Sequence, residues 1–125
     1  MPNLLIVMLG GAIGAAGRYQ VGQVTLQRMG SGFPWGTLIV NLLGGLLMGI
    51  LAAVLIADGS SDRPLWFFLG VGVLGGFTTF SAFSLDVFDM LQRNELAVAG
   101  FYLGASVAGS VLALMMGYWA GRAAA

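Results

Sequence analysis

The chain has no cysteine, no histidine and no lysine, and its five arginines face five acidic residues in a length of 125. Each absence removes a class of function. Without cysteine there is no disulfide and no thiolate metal site. Without a basic surplus there is no electrostatic footprint for a nucleic acid and no polybasic patch for lipid headgroups. Without histidine, a proton relay would need a carboxylate deep inside an apolar segment. Charged residues are 8% of the chain, whereas a soluble domain carries about 25%.

What is present is apolar: 58% of residues are hydrophobic and the mean hydropathy is +0.93. The composition predicts an all-α integral membrane protein, a single transmembrane domain over residues 1-125 with no soluble part. Met1-Pro2-Asn3 offers no basic leader, so the first apolar run is expected to remain as a span. A span needs about 20 apolar residues. Four candidates fit, over about residues 4-26, 34-57, 64-91 and 95-120. The connectors are short: Met29-Gly30-Ser31-Gly32, then Asp58 to Pro64, then Gln92-Arg93-Asn94-Glu95. Phe33-Pro34 follows the first of them, with proline at a helix start where its missing N–H does no harm.

The third span is longer than a straight crossing requires and carries Gly75-Gly76-Phe77-Thr78-Thr79-Phe80-Ser81-Ala82-Phe83-Ser84 in its middle. Non-helical backbone is tolerated at membrane depth only inside protein or beside a cavity. A third helix broken near its middle is therefore predicted; an unbroken, tilted helix is the alternative. Pairs of glycines four apart recur in every span, at Gly10/Gly14, Gly45/Gly49, Gly72/Gly76, Gly100/Gly104 and Gly117/Gly121. Such pairs let helix backbones approach closely where lipid supplies no hydrophobic driving force, although 21 glycines make any one pair unspecific. Gly10-Gly11-Ala12-Ile13-Gly14 is no nucleotide fingerprint, since it lies inside a span and opens no strand-turn-helix unit.

Four spans place Arg63 and Arg122 on one side, and Arg28 and Arg93, with Arg18 near a helix end, on the other. The arginine count that normally fixes orientation is nearly balanced. A chain without bias can insert both ways, and two oppositely oriented copies can pair as an antiparallel, dual-topology homodimer. A single topology fixed by another factor is the alternative.

Neutral hydrogen-bond donors form stripes within the spans. Thr37 and Asn41 are four apart on the second helix, and Tyr102, Ser106 and Ser110 repeat every four on the fourth. On the third, Phe77, Phe80 and Phe83 repeat every three, and Ser81 and Ser84 follow on a parallel line. The plain structural reading is that serine and threonine bond back to their own helix and that phenylalanine packs. Three donor stripes together, with Asn41 costly to bury unpaired, point instead to a polar track. Hydroxyls and amides donate to an anion, and a phenyl edge is its positive rim. No ring of carboxylates is present to draw cations. An unpaired ion entering a low-dielectric interior meets a penalty of order 20 kcal/mol, and hydrogen bonds to a charge return about 1.5–3 kcal/mol each. At the stronger end of that range about six to eight donors in relay are needed, which suits a small dehydrated anion crossing passively.

Three stretches together resemble a known family. Gly10 through Tyr19, Phe33-Pro34-Trp35-Gly36-Thr37-Leu38-Ile39-Val40-Asn41 and Gly75 through Ser84 are similar, in order and over nearly the whole chain, to the Fluc (CrcB) family of bacterial fluoride ion channels. The resemblance implies a dual-topology antiparallel homodimer in the inner cell membrane that exports fluoride passively and relieves its toxicity. It implies that Phe80 and Phe83 turn ring edges to fluoride and that Asn41 is the pore amide. By the resemblance Tyr102, Ser106 and Ser110 would be a polar track; the hydroxyls of Ser81, Ser84, Thr37 and Thr79 are further pore candidates from the residues themselves. The resemblance also implies that the Gly75 and Thr78 carbonyls hold a structural Na⁺ at the dimer interface, and that Arg18 stands near an aqueous vestibule. The chain departs from the family pattern at Ala82, where many relatives have threonine, and at Leu46, where phenylalanine is frequent. Two other readings compete. A small dual-topology multidrug exporter needs a membrane-embedded glutamate, which residues 4-17 lack. A membrane scaffold or transporter subunit predicts no flux through these residues. No reading requires an enzyme.

Overall fold

The computed structural model describes residues 2–60 and 62–124. It holds α1 (Pro2–Met29), α2 (Trp35–Leu55), α3 (Trp66–Leu74 wound as π-helix, then the turn Gly75–Phe77), α4 (Ser81–Gln92) and α5 (Leu96–Ala124). No strand occurs among the described residues. Four stretches are long and apolar enough to cross a membrane: Asn3–Met29, Trp35–Leu55, Trp66–Gln92, which joins α3 to α4, and Leu96–Ala124. With the apolar composition, these make the chain a multi-pass membrane protein.

Helix ends follow local chemistry rather than the apolar runs. α1 continues through Gln27 and Arg28 and stops at Gly30, whose φ of +78° suits a residue without a side chain. The next turn uses Gly59 at φ +89°, and the last uses Asn94 at φ 58°, asparagine being among the residues that tolerate this region. α5 runs on to Ala124 because nothing in Gly121-Arg122-Ala123-Ala124 stops a helix.

α1 lies along α3, and α2 lies along most of α5. The glycine pairs explain both seams. A Cβ on Gly14 would fall on the Val73 carbonyl, and one on Gly10 on the Phe68 carbonyl. Gly49 meets the Leu114 carbonyl and Gly117 the Leu46 carbonyl in the same way. Gly100 and Gly104 differ, with open space where a Cβ would stand. A small core of Leu38, Phe83, Met90, Ala99 and Tyr102 seals the end of the bundle where α4 meets α5, with Phe33 packed against it.

The third span is interrupted rather than severed. Its bend is a modest 18°. Gly75 and Gly76 are helical, and the chain leaves the helix at Thr78, which is extended at φ −85°, ψ 158°. Upstream, the π-winding of Trp66–Leu74 puts more residues in each turn, which takes up the surplus length of this span.

Candidate functional site

The interruption at Thr78–Phe80 borders two concave spaces, and a third lies beyond the second of them. The first is a groove of about 400 Å³ between α2, the break and α5. It gathers Asn41, Thr78, Thr79, Phe80, Phe83, Ser106 and Ser110. The second, of about 300 Å³, lies behind the break and is walled by Arg18, Tyr19, Gln23, Thr37, Thr79 and Ala82. The third, of about 320 Å³, opens at the bundle end among Thr25, Phe33, Thr37, Asp86, Asp89 and Arg93. Thr37 is a wall of both the second and third spaces, and Thr79 of both the first and second. The three therefore form a row from a charged mouth to the break and into an apolar-walled groove.

The spacing on each helix explains what reaches the groove. Residues four apart share a face of α5, so Ser106 and Ser110 both line the groove, while Tyr102 sits one turn further and is wholly buried. Ser106 is buried, and its hydroxyl has no partner among the described residues. A buried hydroxyl left unpaired costs about 1–3 kcal/mol, and this one is on a residue that lines the groove. Phe83 is buried, whereas Phe80 is 77% exposed, and their ring centroids are 5.7 Å apart. The stack continues from Phe83 to Tyr102 at 5.2 Å and from Tyr102 to Phe33 at 5.3 Å in an edge-to-face arrangement.

The hydroxyls of the third span are largely engaged with backbone. Thr78 Oγ1 donates to the Leu74 carbonyl at 3.0 Å, and exposed Ser84 Oγ donates to the Phe80 carbonyl at 2.9 Å. Thr79 Oγ1 accepts Ala82 N–H at 3.2 Å and lies 3.4 Å from the hydroxyl of exposed Ser81. Ser81 and Ser84 are not among the groove residues, and Thr37 faces the mouth and the Arg18 space instead.

Main-chain oxygens at the break are unevenly supplied with donors. Arg18 Nε donates to the Gly76 carbonyl at 3.2 Å, so its charge is fixed at the carbonyl end of α3, as a helix C-terminus favours. Gly75 and Thr78 would bond in a helix to the N–H groups of Thr79 and Ala82. Those donors go instead to Asn41 Oδ1 and Thr79 Oγ1. Two carbonyls three residues apart thus lose their helical partners, and carbonyl oxygen is a ligand type that hard cations take. Among the described residues no three Asp, Glu, His or Cys side chains gather.

Three contacts here lie outside the sequence reading: Asn41 with Thr79, Arg18 with Gly76, and Tyr102 with Asp86. Each joins residues from different helices. The signals available were a lone amide and two charged residues inside spans, which ask for partners without naming them.

A family model described as "CrcB-like protein, Camphor Resistance (CrcB)" matches residues 5–118. The chain belongs to the CrcB family. Relatives of this CrcB chain carry the name "Fluoride-specific ion channel FluC". The protein of Sphingopyxis alaskensis is 49% identical over 113 residues, covering 90% of each chain. That of Hyphomonas neptunium is 51% identical over 124 residues, covering 98% of this chain and 97% of the relative. That of Rhizobium leguminosarum bv. trifolii is 46% identical over 125 residues, covering all of both. The CrcB match takes in most or all of each of the four membrane-length segments and the whole row of spaces.

Proposed function

We propose that this CrcB protein is a passive, fluoride-selective ion channel of the inner cell membrane, exporting fluoride and relieving its toxicity. One observation carries the reading: a single groove collects an amide, two serine hydroxyls and two phenyl rings at a helix break. The names of the relatives point the same way. Fluoride would shed water at the mouth, pass the positive Arg18 and meet the edges of Phe80 and Phe83, then the Ser106 and Ser110 hydroxyls. Tyr102 closes the row by holding Phe83 in place.

One chain does not suffice on this reading. Its groove presents fewer free donors than the roughly six to eight needed to replace hydration, and Phe80 is left 77% exposed on an apolar surface. A second copy, antiparallel because the arginines set no orientation, would cover Phe80 and supply the remaining groups. The four spans of each copy form one transmembrane domain. The Gly75 and Thr78 carbonyls fit a structural Na⁺ between the copies. Bound there, it would stabilise the interface and add positive potential beside the anion route.

The exporter reading needs a free carboxylate at membrane depth. The sole glutamate, Glu95, lies in the turn before α5 and pairs with Arg93 at 3.2 Å, and Asp86 is tied to Tyr102. The channel reading is tested by fluoride flux through the purified protein in liposomes. Flux that runs down its own gradient without a proton gradient supports it, and flux that requires a proton gradient favours the exporter.

A further inference from the structure

The side chain of Asn41 is committed to the main chain of one residue on another helix. Its Oδ1 accepts Thr79 N–H at 2.9 Å, and its Nδ2 donates to the Thr79 carbonyl at 3.0 Å. The amide therefore pairs with Thr79 as a second peptide would. In a continuous helix that N–H belongs to the Gly75 carbonyl, four residues earlier. Three residues on, the helical bond from Ala82 N–H to the Thr78 carbonyl is diverted as well, by the Thr79 hydroxyl. Both diversions run through Thr79, and only the first depends on another helix.

We propose that Asn41 is a positioning residue that holds the third span open by capturing Thr79. The capture keeps Thr78 extended at ψ 158°, leaves the Gly75 carbonyl without its helical donor, and sets Phe80 and Phe83 at the groove. It also gives the break its cause. Gly75 and Gly76 are helical, so glycine flexibility does not make the interruption; a cross-helix amide does. With an apolar residue at position 41, Thr79 N–H would stand unsatisfied at membrane depth, which the apolar surroundings penalise. The nearest remedy is the Gly75 carbonyl, and taking it returns Thr78 to helix. The purpose of the open break rests on the channel reading, but the capture itself is a backbone event that can be observed without any ion flux.

Thr78-Thr79 is the only Thr-Thr peptide in the chain. Threonine labelled with heavy carbon at the carbonyl and heavy nitrogen at the amide therefore gives one carbonyl–amide correlation in solid-state NMR of the full chain in bilayers. The native protein should place the Thr78 carbonyl shift upfield, in the extended range. Asn41→Leu should move it downfield into the helical range. Asn41→Asp keeps the Oδ1 acceptor and should leave it with the native peak. An unmoved peak in Asn41→Leu, or a helical shift in Asn41→Asp, overturns the proposal; if Asn41→Leu does not assemble, the Asn41→Asp spectrum decides. A protein that proved not to carry fluoride would leave this result standing, and a failed capture would leave the flux measurements untouched.

Discussion

The phenol of Tyr102 donates to Asp86 Oδ2 at 2.8 Å across the α4–α5 contact, and the same ring stacks on Phe83. This bond joins the charged mouth, which Asp86 lines, to the aromatic row that ends at the groove. It satisfies a hydroxyl that is otherwise sealed from water, and it fixes the ring against which Phe83 leans.

Removing that hydroxyl should be felt in both stability and conduction. Hydrogen bonds to a charged group contribute about 1.5–3 kcal/mol, so Tyr102→Phe should destabilise the chain by about that amount in detergent-driven unfolding. Asp86→Asn retains an acceptor and should lose less. Equal stability of Tyr102→Phe and the native chain would show that the bond contributes nothing.

Phe83→Ile should abolish fluoride efflux while the chain still inserts and folds. Isoleucine fills apolar space but has no positive ring edge to offer an anion. Efflux at the native rate in this variant would remove Phe83 from the route.

Asn41→Asp should stop fluoride efflux with the helix break intact. The carboxylate still accepts Thr79 N–H, but it sets a negative charge in the groove and loses the donor. Robust efflux in this variant, measured in the same liposomes as the native protein, would place the anion path elsewhere.

Glycines at the seams should be far less replaceable than those in open space. Gly49→Ala presses a methyl onto the Leu114 carbonyl, and backbone cannot turn aside as a side chain can, so a cost of about 1–3 kcal/mol is expected. Gly100→Ala meets nothing within 4 Å and should leave the fold of the single chain as stable or slightly more so, since alanine favours helix by up to about 1 kcal/mol. Thermal unfolding of the two variants side by side checks the contrast.

Both orientations should be found in the membrane. The chain has no cysteine, so a single Ser60→Cys, in the exposed connector between α2 and α3, is a clean reporter. About half of the copies should react with an impermeant thiol reagent from outside intact cells, since the arginines set no preference. Labelling of nearly all or nearly none would mean one fixed topology.

Four membrane crossings were legible in the composition and in the lengths of the apolar runs. The position of the interruption was legible only to within a few residues. Of the two pairs in the middle of the span, Gly75-Gly76 is helical, and the chain departs at Thr78. The reason lies 38 residues away in sequence, at Asn41, and no local pattern encodes a partner at that distance. On α5 the four-residue repeat puts Ser106 and Ser110 along one groove because a straight helix fixes a face, whereas Tyr102 of the same stripe is buried with its hydroxyl on Asp86. The stripes on the third span read less well. Whether Ser84 turns to a groove or back to the Phe80 carbonyl depends on an interruption that the helical repeat does not contain. The π-winding of Trp66–Leu74 left only an excess of residues as its trace.

The most direct measurement is electrode-monitored fluoride release from liposomes holding the purified protein, with chloride as the control ion. The account predicts rapid fluoride release down its gradient, no matching chloride release, and loss of the signal in Phe83→Ile. Equal release of both ions, or no fluoride release from well-folded native protein, would contradict it.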